Sequence, residues 1–467
     1  MYDLLLFASL ILFAGVAVAY ARHPASSLTH PATFYLAFHG FIFVVRPIIA
    51  RLFDFSFVYR LYDFLPSMED KATVILAANL AMLVFVGASL YVARQPPMPI
   101  ERRDYGRVRA HMAKPIAVVV ILLAPIAVWS QLMNWQRRQE EFGTMIRDAA
   151  TGTAFNTESI GWLTDAALML APLTVMIIWL ARYRWWSWAV FALFLILQAG
   201  DGTRGPIVFA AAALAILVLL ETRRPWLDWR VTVLALSALL AFTQIVVDRG
   251  AGLRSTLGQS ESQIFAGGAE LAPLEGMDFA NLEYFEYIVY AVPQRTGTYD
   301  YFAGNLQIFT EPVPRALWKD KPIGSPVRTF SLWDYGRPIG MTASVPGAGW
   351  MSLGYPGVAI QALFFALLYA FGYRIFLQRK ATPLAQLAYA LLMATAFNVL
   401  RDGTLLTFVR QVPFHFGPLL LSLLALRILG PSRIAQAHAW QGPVREFLAQ
   451  TPAERRRTLA AQSSDQR

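Results

Sequence analysis

Runs of 17–22 residues with almost no charge recur along this chain, and they restrict its fold more than any motif does. A hydrocarbon core of ~30 Å takes about 20 apolar residues to cross, and a helix crosses it with every backbone group satisfied internally. Hydropathy places such runs at 2–20, 31–50, 72–93, 115–133, 160–181, 185–200, 206–220, 231–247, 356–377, 383–400 and 404–429. The expected fold class is an all-α polytopic integral membrane protein of about 11 transmembrane helices with one large external loop. Only 15% of the 467 residues are charged, against about 25% in soluble domains. The N-terminal Met1-Tyr-Asp-Leu lacks the basic leader of a cleaved signal, so the first run is expected to be retained as a span.

The net charge of +10 is almost all arginine, with only five lysines. In a soluble protein that balance points to nucleic acid. At membrane edges, arginines set orientation and meet anionic headgroups, so the expected partners are membrane lipids and no nucleic acid. Arg102, Arg103, Arg107 and Arg109 mark 94–114 as cytoplasmic. Alternate counting then puts Arg22, Arg182, Arg184, Arg223, Arg224, Arg230, Arg374, Arg379 and Lys380 on the same side. The expected organisation is a transmembrane domain, 1–429, with the external loop 249–355 inserted, and a cytoplasmic tail, 430–467. The N-terminus is expected outside.

The outer face receives 51–71, 134–159, the short hairpins Gly200–Pro206 and Arg401–Thr404, and the long loop. Within that loop, 249–280 is rich in Gly, Ser and Ala and reads as flexible connector. From Asn281, the helical spacing of Leu282, Phe285, Ile288, Val289 and Val292 predicts a short amphipathic helix. Glu283, Glu286 and Tyr287 lie elsewhere on its wheel. Such a helix lies along the membrane surface or caps the bundle, and a plain packing helix fits the pattern equally. Asp-Gly-Thr recurs at 201–203 and 402–404, too short a match to establish a repeat.

Chemistry has few places to reside. The chain has no Cys, six scattered His, no phosphate-binding glycine loop and no His-Glu-x-x-His. No metal and no cofactor is expected. Arg204, in Asp201-Gly-Thr-Arg-Gly-Pro206, sits in a tight hairpin that aims backbone N–H groups and a guanidinium at one spot, which suits an anion. An arginine snorkelling to lipid phosphate gives the same sequence. Arg410 lies inside the last run, where a charge costs roughly 2.5–3.5 kcal/mol and needs a carboxylate, a polar cavity or an anion to offset it. Arg401 precedes it and His415 follows it. Arg315, Lys319 and Lys321 form a third basic group, which a rim of solvated charge would explain as well; Arg328 and Arg337 are further loop cations. Asp201, Asp402, Glu283 and His415 are the groups that could accept a proton.

The order of Arg204-Gly-Pro206 between two spans, Tyr299-Asp-Tyr-Phe302, Pro314-Arg-Ala-Leu-Trp-Lys-Asp-Lys-Pro322 and Gly354-Tyr-Pro-Gly357 resembles Wzy-type oligosaccharide repeat-unit polymerases. The likeness covers roughly 195–415, and 314–322 is its most specific part. It implies a bacterial inner-membrane glycosyltransferase of O-antigen or exopolysaccharide biosynthesis. Such an enzyme would act on undecaprenyl-diphosphate-linked oligosaccharides at the periplasmic face, alongside a flippase and a chain-length regulator. Carried over by position, Arg204, Arg315 and Arg401 would bind or neutralise the diphosphate, with His415 among the catalytic residues. Arg410, Lys321, Asp201, Trp318 and Tyr299 would contact substrate. An O-antigen ligase shares donor and topology with this reading. A membrane glycosyltransferase using a lipid monophosphate sugar would instead place weight on Asp54 or Asp63. A flippase of lipid-linked glycans would show paired repeats and helices broken at midplane.

Overall fold

A computed structural model describes residues 2–141, 161–199, 205–230, 275, 279–313, 317–318, 320–322, 324–338, 340, 342–379 and 381–430. These residues form helices, turns and coil, with no strand among them. Nine of the helices are long and apolar enough to cross a membrane. They are α1 (Tyr2–Ala21), α2 (Pro31–Leu52), α4 (Met68–Val92), α5 (Arg102–Glu141), α6 (Trp162–Leu180), α8 (Gly205–Thr222), α10 (Ser344–Arg379), α11 (Pro383–Asp402) and α12 (Leu405–Leu429). A shorter apolar helix, α7 (Trp185–Gln198), lies between α6 and α8. Each expected run coincides with one of these except 231–247, which lies outside the described residues, as do the connector 249–274 and the tail 431–467. Two helices do not span: α3 (Phe57–Tyr62) and α9 (Asn281–Ala291).

The centre of the bundle is α4 packed on α10. Lipid tails are as apolar as leucine, so these helices gain little from hydrophobicity and rely on close approach of small residues. Ala77, Ala78 and Ala81 of α4 and Ala362, Ala366 and Ala370 of α10 are fully buried, the latter three at spacings of four on one helix face. Around this pair stand α1 and α2 against α4, α8 against α6 and α11, and α5 against α12. Outward-facing Leu4, Phe7, Ile121, Leu122, Ile196 and Ile428 are exposed, the pattern of a surface solvated by lipid.

The two ends of the bundle differ. One gathers the basic loops. Arg109 forks onto Glu221 at 2.9 and 2.6 Å, enclosed by Tyr105, Trp179 and Tyr183. Met98 N–H donates to the Leu377 carbonyl (2.9 Å) and Leu28 N–H to that of Pro225 (2.8 Å), joining the connections on this side. The other end carries α3, α9 and the described part of the loop that follows α9.

Two features shape that loop end. First, of the readings its spacing allowed, α9 is the packing helix. Glu283, Glu286 and Tyr287, assigned by their place on the wheel to a polar face, are as buried as Phe285 and Ile288. The helix is wedged against α4, α10 and the widened turn of α2 at Gly40–Val45, so its polar side meets protein instead of water. Second, α10 is broken. Leu353 and Gly354 leave helical geometry, Gly354 at φ 60 and ψ −142. The piece before the break, 344–352, spans only about 13 Å at 1.5 Å per residue. It folds back on the longer piece so tightly that a Cβ at Gly357 would lie 2.1 Å from the Gly349 carbonyl oxygen. The break is filled: Asp300 and Tyr301 N–H groups donate to the Met351 and Ser352 carbonyls, both at 2.9 Å.

Candidate functional site

Arg401 and Asp402 end α11, and Gly403, at φ 74, turns the chain into α12. Only glycine fits there, because a Cβ would lie 1.9 Å from the Ser344 carbonyl oxygen. Thr404 then caps α12 by accepting from the Thr407 N–H. Three other segments close on this turn. Asn281, the first residue of α9, donates through Nδ2 to the Arg401 carbonyl (2.9 Å) and to the carbonyl and Oγ1 of Thr342, both 2.8 Å. Gln361 of α10 donates to the Gly403 carbonyl at 2.7 Å. Gly205 lies against Asn398, whose Oδ1 is 3.3 Å from where a Cβ would stand. Gly205, the first residue of α8, therefore lies beside α11 close to the Arg401 turn, while Arg204 and Asp201 lie outside the described residues.

The Arg401 side chain is only partly buried, and its enclosed Nε has no hydrogen-bond acceptor among the described residues. A guanidinium at a helix end with an unsatisfied donor is suited to an anion. Asp402 accepts from Thr407 Oγ1 at 3.0 Å. Arg410 takes the carboxylate option: its Nε and Nη2 grip Asp165 at 2.9 and 2.7 Å. Sequence reasoning saw the need for a partner but not this one, 245 residues away in the chain. His415 is buried and stacked flat on Phe209 at 4.0 Å, about 15 Å along α12 from its start by helical rise.

The loop residues fall into two sets. Tyr299 lies over the α10 break, its hydroxyl 2.9 Å from a Cβ position at Gly354. Lys321 Nζ donates to the Glu311 carbonyl at 3.0 Å and lies 3.9 Å from its carboxylate, while Trp318 is part-exposed. The turn Gln307–Thr310 rests on α12, which brings this part of the loop over the Arg401 side of the bundle. Arg315 and Lys319 lie outside the described residues. Burial raises the Asp300 carboxyl, whose Oδ2 accepts the Gly304 N–H at 2.8 Å. Asp54 and Asp63 are exposed and occupy left-handed turn positions, φ 50 and 55, next to the ends of α2 and α3.

Behind this turn lies a polar cluster that the sequence reading largely missed. Arg46 of α2 donates through Nε to both carboxylate oxygens of Glu283, at 3.0 and 2.8 Å, and both side chains are almost wholly buried. Glu286, one turn on, accepts from Tyr59 of α3 at 2.6 Å, and Lys71 lies over the Tyr59 ring at 4.7 Å. Burial pushes the Glu286 carboxyl up to about 7, against the opposing pull of Lys71. Glu275 accepts the Ser56 and Phe57 N–H groups, at 2.8 and 2.7 Å, at the start of α3. The signal for Arg46 was present: like Arg410, it is a charge inside an apolar run. Nothing local marked Glu283 as its partner.

No group of three or more His, Asp or Glu that could hold a metal ion occurs among the described residues. An apolar trough of about 690 Å³ runs along α5 from Val120 to Leu132 and touches none of these groups. No protein-family model matches the chain, and no curated protein or solved structure is significantly similar to it.

Proposed function

We propose that this protein is a membrane glycosyltransferase that polymerises oligosaccharide repeat units carried on a lipid diphosphate. The reaction would run at the loop end of the bundle, which we place at the periplasmic face of a bacterial inner membrane. One observation supports the reading: described parts of the segments bearing the polymerase likeness make contacts at this end, Gly205 beside Asn398 near the Arg401 turn and Tyr299 against Gly354. Asn281 and Ser344 close on the Arg401 turn.

In this scheme a sugar hydroxyl of the acceptor unit attacks the anomeric carbon of the donor glycan. The bond to the diphosphate oxygen breaks, and the diphosphate leaves with the electron pair. Arginine forks aimed at that oxygen stabilise the charge as it grows. Arg401 Nε has no acceptor among the described residues, and Arg204 and Arg315 are proposed beside it for this role. The hydroxyl proton needs an acceptor. Glu283 is committed to Arg46, and His415 is stacked on Phe209 well down α12. Asp402, adjacent to Arg401 and held by Thr407, is the described group that best fits. Arg410, bound to Asp165, is better suited to fixing α12 against α6 than to gripping substrate.

The test is to delete the protein and size the glycan. Single repeat units on the final acceptor support a polymerase. Polymer stranded on the lipid diphosphate indicates a ligase, and loss of all external repeat units indicates a flippase. Arg401→Ala, Arg204→Ala and Arg315→Ala should each abolish polymer while leaving protein in the membrane, since one transition-state donor is worth roughly 10²–10³ in rate. Normal chain length in all three removes the site assignment.

A further inference from the structure

At the opposite, basic end, a cavity of about 330 Å³ opens between the end of α4 and the end of α10. That is near the lower limit of ligand pockets, which run to roughly 300–1,000 Å³. Its polar wall is Arg94, Gln95, Arg374 and Gln378, and its apolar wall includes Tyr91 and Phe371. The walls are built, since Gln378 Nε2 donates to the Gln95 carbonyl and Met98 N–H to the Leu377 carbonyl. The last turns of α10, Arg374–Arg379, are wound as a π-helix, a local widening that often accompanies sites.

The charges of this cavity have no acidic partner among the described residues. Among the described acidic side chains at this end, Glu101 is taken by Arg103, Asp104 by Arg107 and Glu221 by Arg109, and Asp228 accepts the Arg230 N–H. Arg94 and Arg374 form no ion pair among the described residues. Tyr91 and Phe371 are exposed on the outer surface of the bundle, 82% and 44%, at the level where aromatic rings meet headgroups. We infer that the cavity between α4 and α10 is a binding site for an anionic phospholipid. Its phosphodiester would lie between Arg94 and Arg374, the Gln95 and Gln378 amides would meet its ester oxygens, and an acyl chain would run along Tyr91 and Phe371. The site is remote from Arg401 and does not depend on the proposed glycosyl transfer.

The purified protein in detergent would be offered phosphatidylglycerol, phosphatidylcholine or inorganic phosphate, and retained ligand counted by native mass spectrometry. Wild type should hold phosphatidylglycerol roughly ten-fold more tightly than phosphatidylcholine, the worth of about one charge-assisted bond. R94Q/R374Q should lose that preference. A monodisperse R94Q/R374Q that still prefers phosphatidylglycerol overturns the site. Displacement of phosphatidylglycerol by an equal concentration of inorganic phosphate also overturns it, because the cavity would then serve a free anion. If the double variant does not survive purification, R94Q and R374Q are measured singly, and undiminished preference in both overturns the inference.

Discussion

Each end of this bundle buries an arginine–glutamate pair, and the partners they join are of different kinds. Arg109 and Glu221 link α5 to α8, two helices that a bilayer would hold side by side in any case. Arg46 and Glu283 link α2 to α9, a helix with no span of its own. Glu221 keeps a quarter of its side chain exposed, whereas Glu283 keeps 1%. The first pair sets the spacing of two spans. The second helps hold α9 on the bundle, and with it Asn281, which bonds the Arg401 turn.

The largest expected effect follows from that contrast. Glu283→Ala removes the carboxylate onto which the buried Arg46 forks and should lower stability by about 3–5 kcal/mol. Thermal unfolding in detergent should show the loss, with new protease cleavage in the loop. Glu221→Ala should do less, since Arg109 keeps its aromatic neighbours, and an equal loss from the two variants would break the comparison.

Glu286 gives a test in pH. Its folded value of about 7 stands above the ordinary 4.5. Below that ordinary value the group is protonated in both states and neutral to stability. As pH rises toward the folded value, the unfolded chain has released the proton and the folded chain has not. Stability should therefore fall between roughly pH 4.5 and 7, by up to about 3 kcal/mol. Glu286→Gln should flatten that slope, and an unchanged profile would remove Glu286 from the account.

Gly357→Ala drives a methyl into the Gly349 carbonyl and should cost about 1–3 kcal/mol. Gly87→Ala, on α4 with nothing within 4 Å, is the control and should be neutral or slightly stabilising in melting temperature. Smallest is Arg103→Ala, which removes an exposed ion pair to Glu101 and should change stability by less than ~0.5 kcal/mol.

The spans were legible because an apolar run of sufficient length has few alternatives; most helix edges agree within a few residues, but α5 and α10 begin well before the runs at 115–133 and 356–377. The loop was harder. A wheel that separates Leu282 and Phe285 from Glu283 and Glu286 assumes that one side meets water or headgroups, and nothing in the spacing says that α3 and Arg46 cover that side instead. Arg410 illustrates the same limit. The energetic need for a partner is local information, but Asp165 is brought to it only by the packing of α6 on α12. The Arg401 turn was nearer to legible, since Arg-Asp-Gly-Thr already names a C-cap glycine followed by an N-cap threonine.

The bonds of Asn281 also impose an order on biosynthesis. This one side chain reaches Thr342 and Arg401, which leave the ribosome 61 and 120 residues after it. Arg46, by contrast, precedes Glu283 by 237 residues and is in place long before α9 is made. The nascent loop can thus dock early on the α2 side, yet its other edge stays open until α11 has been inserted. A chain halted after α10 would carry the loop half-fastened, and the Arg401 turn can form only in the last stage of synthesis.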